Sequence, residues 1–529
     1  MKQLTGLDAS FLYMETPTSF GHVSGLGIYR RPDDPDYSPY DAFRAQIESR
    51  LPILEPFRRR LVEVPLGMDH PYWINDPDFD LDFHVRHMGI PPPGDQQQLA
   101  TQVARIIGRP MDRSRPLWEA YVLEGLEDDH FAVLTKIHHA TIDGASGVEL
   151  LTILLDAEPE GAVPPADDGR WKPDRVPSDA DLLNRTFWSF VRRPGRAVRV
   201  QLNAAQQMAE ITRNKGLAQV VKATRSQLRS SIGPRRRSNG ETQLPVGGAP
   251  RTPFNRSITP HRRLAMGSVP LDDIKTLKNA LDATVNDVVM AICSGALRRY
   301  LELHDALPAE PLQAMVPVSI RTGEEEDRWT NRVSGLVAAL PTHVADPLER
   351  VRIVHEAMMA AKAQFEMVPA DALVDLAQFS SPALAAQAAR LASSMRIADR
   401  TSPPVNVVIS NVPGPRQPLY LAGAELVHYY PVSTIAEGMG LNITVHSYLD
   451  SLDIGLVSCR ELVPDLELLV DLHVEEIQVL FDALGLQRTA KPAARAKPAP
   501  RAKAAARAKP APRAKAVRRD GSGRARRST

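Results

Sequence analysis

The feature that most constrains this chain is a repeated grammar: strand-like and helix-like runs alternate twice, once on each side of a basic, proline-bounded seam. Before the seam, Val23–Tyr29, Leu81–Met88, Trp118–Leu123 and Phe131–His138 have strand character. Tyr40–Leu51, Gln96–Ile107 and Gly147–Leu155 carry apolar residues at helical spacing. After the seam, helical spacing recurs over Leu271–Leu281, Val285–Leu303, Pro347–Phe365, Pro382–Met395 and Pro464–Leu484. The strand-like runs there are Leu312–Ser319, Ser334–Leu340, Val405–Ile409, Leu441–Tyr448 and Leu452–Val457. Two mixed sheets with helices, one per half, fit this pattern, which makes the chain α/β of the α+β type. A doubly wound nucleotide fold fits badly, because no Gly-x-Gly-x-x-Gly follows a strand and no Gly-Lys-Ser/Thr phosphate loop occurs. A chain of 529 residues is also too long for one core. The expected units are 1–160, a linker and basic connecting segment at 161–255, a second unit at 256–487, and a tail at 488–529.

The overall charge of +1 conceals a split. Fourteen of the 64 Lys and Arg lie in 491–529 beside one of the 63 acids, Asp520, so the tail carries +13 and the rest of the chain −12. Lys491, Lys497, Lys503, Lys509 and Lys515 recur every six residues, and Arg495, Arg501, Arg507, Arg513 and Arg519 keep the same step. Repeated prolines and a lack of large apolar side chains predict a disordered tail. Such a tail can tether polyanions, whether lipid headgroups or nucleic acid, without reading bases. Within the seam, Arg185 to Gly240 holds thirteen Lys and Arg against Glu210 alone, with Phe187, Trp188 and Phe190 among them. A solvated connecting helix and a helix lying on an anionic membrane surface both fit.

Two cysteines, Cys293 and Cys459, provide neither a disulfide framework nor a thiolate metal site, and apolar neighbours predict core positions for both. The first twenty residues include Asp8 and Glu15 and lack an apolar core of the kind a secretory signal needs. No run approaches the ~18 apolar residues of a membrane span. The expectation is a cytoplasmic protein whose membrane contact is peripheral.

The stretch richest in chemistry is Phe131-Ala-Val-Leu-Thr-Lys-Ile-His138-His139-Ala-Thr-Ile-Asp143-Gly144. A strand-like run ends in two histidines, and a turn containing Asp143 and Gly144 then opens a helix. Neighbours on a strand point to opposite faces, so the two imidazoles cannot share one task. One can face a cleft, where a side chain titrating near neutrality can take a proton from an alcohol or amine. The other packs. Asp143 can fix the loop, and Gly144 permits a backbone geometry that a Cβ disfavours. A metal site is poorly supported, since no His-Glu-x-x-His occurs, and no Gly-x-Ser-x-Gly elbow points to a serine nucleophile.

His-His-x-x-x-Asp-Gly resembles the active-site motif of the coenzyme-A-dependent acyltransferase superfamily, which includes chloramphenicol acetyltransferase and the condensation domains of peptide synthetases. Further segments resemble the bacterial wax ester synthase/diacylglycerol acyltransferase family in particular. They are the opening Leu7-Asp8-Ala9-Ser10-Phe11-Leu12 with Glu15 and His22-Val23, then Pro116-Leu117-Trp118, Val285-Asn286-Asp287-Val288-Val289, Met315-Val316-Pro317-Val318-Ser319 and Ser410-Asn411-Val412-Pro413-Gly414-Pro415. The resemblance spans about residues 4–485. It implies two chloramphenicol-acetyltransferase-like lobes with a channel between them. It also implies acyl-CoA as co-substrate with no other cofactor and no metal, and diacylglycerol or a fatty alcohol as acceptor. His139 would then be the general base, with His138 supporting it, Asp143 holding the motif and Gly144 completing it.

Pro116, Leu117 and Trp118 precede a strand, and packing competes with substrate contact there. Asn286 and Asp287 open a long helix, where capping competes with support of the channel. Two other functions stay open at this point. One is a free-standing condensation-type acyltransferase using a carrier-protein thioester, and the other is a non-catalytic lipid- or polyanion-binding protein on the same fold.

Overall fold

The structure, a computed structural model, describes residues 1–142, 144–161, 172–192, 248–319, 333–366 and 382–488. Asp143, the basic repeat tail and all of the Arg185–Gly240 segment beyond Arg192 lie outside the described residues. The first half supplies strands β1 (Lys2–Gln3), β2 (His22–Arg30), β3 (Arg59–Val62), β4 (Tyr72–Asn75), β5 (Val85–Gly89), β6 (Trp118–Glu124) and β7 (His130–His138). The second half supplies β8 (Arg262–Pro270), β9 (Leu312–Ser319), β10 (Val333–Leu340), β11 (Val407–Pro413), β12 (Tyr420–Leu421), β13 (Ala424–Val432), β14 (Leu441–Tyr448) and β15 (Ser451–Cys459).

Two six-stranded sheets result, in the orders β12-β13-β2-β7-β6-β5 and β10-β9-β11-β14-β15-β8, beside a small β1-β4-β3 sheet. Both large sheets are mixed. β5 runs parallel to β6, and β11 runs parallel to both β9 and β14, while the other pairs are antiparallel. One arrangement was not visible in the pattern: β12 and β13 belong to the second half of the chain but complete the first sheet, with β13 paired to β2. A residue count that places 256–487 in one unit therefore divides the chain, not the sheets.

The outer face of the second sheet carries the largest core, where Ile409, Ile443 and Val445 pack with Val288, Ile292 and Leu469 of two long helices. The first of those helices, Val285–Leu303, starts where Thr284 and Asp287 form a reciprocal capping box. The helix Gln96–Ile107, capped the same way by Asp95 and Gln98, buries Leu99, Val103 and Ile106. They share a core with Leu134 of β7 and with Leu264 and Met266 of β8, which ties the sheets together.

A second tie is polar. Asp453 of β15 is buried, and its two oxygens meet His428 Nδ1 at 3.0 Å and the backbone N–H of Tyr429 at 2.8 Å, both on β13. Close by, a Cβ at Gly455 would lie 1.8 Å from the Pro431 carbonyl oxygen, so only glycine lets β13 and β15 approach this closely. The run Leu81–Met88 is not one strand. Asp80 caps a single helical turn, Leu81–His84, by accepting the Asp82 N–H, and extended structure begins at Val85. Cys293 and Cys459 are both buried and unlinked.

Candidate active site

A cavity of about 780 Å³ lies between the inner faces of the two large sheets. Its size falls in the upper part of the roughly 300–1,000 Å³ usual for small-molecule sites. Strand alternation explains its first wall. Val133, Thr135 and Ile137 of β7 face the cavity, and His139, one residue past the strand, continues the same face. Ala132 and Leu134 pack on the opposite side against the helix Gln96–Ile107, and His138 is buried. The two histidines are thus separated, as the strand period requires.

His139 is positioned from two directions. Its backbone N–H donates to the Gly21 carbonyl at 2.8 Å. Its ring stacks on Phe11, with centroids 4.4 Å apart and planes within 5°. His138 works from behind. Its Nδ1 accepts the Ala140 N–H at 3.0 Å, which shapes the turn and leaves the ring proton on Nε2, 3.2 Å from Glu15 Oε1. That same Glu15 oxygen accepts the Gly21 N–H at 2.7 Å, and the other accepts Arg113 Nη2 at 2.7 Å. Burial alone would push the Glu15 carboxyl up, but the hydrogen bonds it accepts from His138, the Gly21 N–H and Arg113 outweigh it and hold the group well below the ordinary carboxylate value. Gly21 has to be glycine, since a Cβ there would lie 2.7 Å from His138 Nε2.

The second wall comes from β11 and β14. Val408, Ser410 and Val412 alternate inward on one strand, and Asn442, Thr444 and His446 on the next. Gly144 begins the helix Gly144–Leu154, whose Leu150, Leu151 and Leu154 reach the cavity.

The other motif residues stand away from this space. Pro116, Leu117 and Trp118 are buried. Trp118 Nε1 donates to the Phe57 carbonyl at 2.8 Å, and the indole stacks on Phe57 at 4.3 Å and His84 at 4.4 Å. Asp287 accepts the Thr284 N–H at 3.0 Å within the capping box and lies 2.9 Å from His355 Nδ1. None of Pro116, Leu117, Trp118, Asn286 and Asp287 lines the cavity. Conversely, Glu15 and Phe11 were legible only as letters of an opening motif, and Gly21, Arg113 and His446 carried no role. The clearest missed signal was Asn442-Ile-Thr444-Val-His446, an alternation with its polar face inward.

The wax ester synthase/diacylglycerol acyltransferase catalytic domain matches residues 4–289, and the C-terminal domain of that family matches residues 329–480. The O-acyltransferase WSD of Acinetobacter baylyi is 33% identical over 497 residues, 93% of this chain and 100% of its own. A relative from Mycobacterium tuberculosis is 36% identical over 487 residues, 91% of this chain and 100% of its own. The solved structure of the wax ester synthase/diacylglycerol acyltransferase from Marinobacter aquaeolei superposes with a TM-score of 0.64 at 28% identity, covering 92% of this chain and 100% of that one. The chain belongs to the wax ester synthase/diacylglycerol acyltransferase family and is an acyltransferase.

Proposed function

We propose that the cavity brings an acyl-CoA thioester and the hydroxyl of diacylglycerol together beside His139, with long-chain alcohols as a second class of acceptor. The observation that carries this reading is the placement of His139, an imidazole held at the wall of a mostly apolar cavity by Phe11 and Gly21. In the proposed step His139 takes the hydroxyl proton as the oxygen attacks the thioester carbonyl. The new C–O bond forms, the C–S bond breaks, and the proton passes from the imidazole to the departing thiolate. No acyl-enzyme and no cofactor other than the acyl-CoA itself enter this scheme. His139→Ala should lower turnover about 10²–10⁴-fold, the usual loss for a general base, with melting unchanged. Free-thiol release from palmitoyl-CoA with diolein measures it, and wild-type turnover in the variant would refute the role.

The same reading places the enzyme on the cytoplasmic face of a membrane or on lipid inclusions, where its substrates partition. The helix Asp179–Arg192 supports this. It buries Leu182 against Val64 and Tyr72, yet leaves Phe187 and Trp188 61% and 50% exposed. Aromatic anchors beside bases suit an anionic interface. Retention on phosphatidylglycerol vesicles should fall when Phe187 and Trp188 become Ser and when salt rises, and unaltered retention would remove the helix from the interface. The repeat tail is assigned to polyanion contact by its charge alone.

A further inference from the structure

His446 is 2% exposed, lines the cavity, and among the described residues neither of its ring nitrogens has a hydrogen-bond partner. Buried polar atoms without partners are uncommon, and each costs folding stability. Other buried histidines with an orphaned nitrogen, such as His22 and His473, satisfy the second nitrogen on a backbone carbonyl and lie outside the cavity.

The ring has little freedom to find a partner by turning away. Tyr429 packs against it with centroids 4.9 Å apart, and a Cβ on Gly414 would lie 2.2 Å from its Cε1. The same Cβ would lie 2.1 Å from the Ser447 carbonyl oxygen, so the glycine of the Ser410–Pro415 motif makes room for the β14 backbone as well as for the imidazole. Asp453 is the cross-strand neighbour of His446, but its oxygens are committed to His428 and to the Tyr429 N–H. Burial pushes the imidazole down to about 4 against the pull of Asp453, so near neutral pH it is uncharged, with one donor and one acceptor.

We propose that His446 is a binding residue whose ring N–H is satisfied by a substrate carbonyl oxygen that lies away from the reacting atoms. An alkyl chain filling the cavity offers such a nitrogen nothing. The thioester carbonyl and the attacking hydroxyl belong beside His139, on the opposite sheet. That leaves two sources of a spare carbonyl: the ester groups of diacylglycerol and the amides of the pantetheine arm of coenzyme A. A simple long-chain alcohol has neither. The inference rests on the reading of the cavity as the site where acyl-CoA meets its acceptor.

The test compares wild type, His446→Leu and His446→Gln with palmitoyl-CoA and either diolein or hexadecanol, alongside His139→Ala as a separate control on the chemistry. Loss of one neutral hydrogen bond should raise KM about tenfold in His446→Leu. A rise for diolein alone identifies an ester carbonyl, and a rise for palmitoyl-CoA with both acceptors identifies a pantetheine amide. Gln, which keeps a donor and an acceptor, should restore most of the affinity. The melting temperature of His446→Leu should match or exceed that of wild type, because an unpaired buried polar group has been removed. Unchanged KM values in His446→Leu would overturn the proposal. So would a lower melting temperature with both acceptors impaired alike and no rescue by Gln. An active His139→Ala would instead sink the base assignment and leave the His446 result readable on its own.

Discussion

Two imidazoles face the cavity from opposite sheets, and they are held in opposite ways. Behind His139 stands a chain of contacts: Phe11 on its ring, Gly21 on its backbone, and then Glu15, joined to His138 and Arg113. Behind the His446 ring there is packing, from Tyr429 and Gly414, but no hydrogen bond to either ring nitrogen among the described residues. A base has to be in place before the substrate arrives, because misplacement by a fraction of an ångström costs rate. A binding group can instead leave its hydrogen bond to the ligand, at a standing cost to the empty fold. The first wall is built for position and the second for recognition.

The largest effect that bears on this contrast is acid unfolding. Burial holds His84, His446 and His473 down near 4, and pushes His22 well below the ordinary value of 6.5. The unfolded chain takes up these protons near 6.5 and the folded chain does not, so stability falls as pH drops from about 6.5 toward 4. Glu476, raised by burial despite Arg350, binds a proton more readily when folded and works in the opposite direction. Each such proton adds a slope of up to about 1.4 kcal/mol per pH unit, so together they can take a large part of a typical stability of about 5–15 kcal/mol. Urea midpoints between pH 7 and 4 should show this fall. His446→Leu should flatten it by about one proton, and an unchanged slope would mean that His446 is not buried as a neutral imidazole.

The two walls were not equally legible in the sequence. Phe131 to His138 reads as a strand because Phe131–Leu134 form an apolar run that Ile137 resumes after Thr135 and Lys136, and the strand period alone separates His138 from His139. The helices at Gln96–Ile107 and Val285–Leu303 announce themselves through Asp95 and Thr284 caps as well as spacing. Completing the first sheet needed tertiary information. β13 reaches the first sheet only through pairing with β2 across roughly 400 positions of chain, which no local pattern reports. Glu15 is likewise remote from His138 in sequence and was visible as a motif letter without its job. At Trp118 and Asp287 packing and capping competed with a chemical role in the sequence, and the structure has Trp118 bonded to the Phe57 carbonyl and Asp287 in a helix capping box.

A smaller effect comes from making the first wall resemble the second. Glu15→Ala removes the acceptor shared by the His138 Nε2–H and the Gly21 N–H, and leaves Arg113 without its more buried partner, since Glu63 is largely exposed. Three donors in a partly buried pocket then lose an anion, which should cost about 2–4 kcal/mol of stability. The consequence for catalysis travels through Gly21. Its N–H is held by Glu15 while its carbonyl holds the His139 N–H at 2.8 Å, so loosening one end lets the other drift. Turnover should fall about tenfold with little change in KM, as expected when positioning rather than binding is lost. Diolein and hexadecanol should suffer alike, because the group being displaced serves the reaction and not the recognition of one acceptor. Glu15→Gln, which keeps an oxygen for Gly21 and His138 but gives up the charge opposite Arg113, should fall between alanine and wild type. The two walls come apart in one steady-state experiment if Glu15→Ala lowers kcat for both acceptors while His446→Leu raises a KM. If Glu15→Ala instead changed the preference between diolein and hexadecanol, the division of labour between the sheets would be wrong.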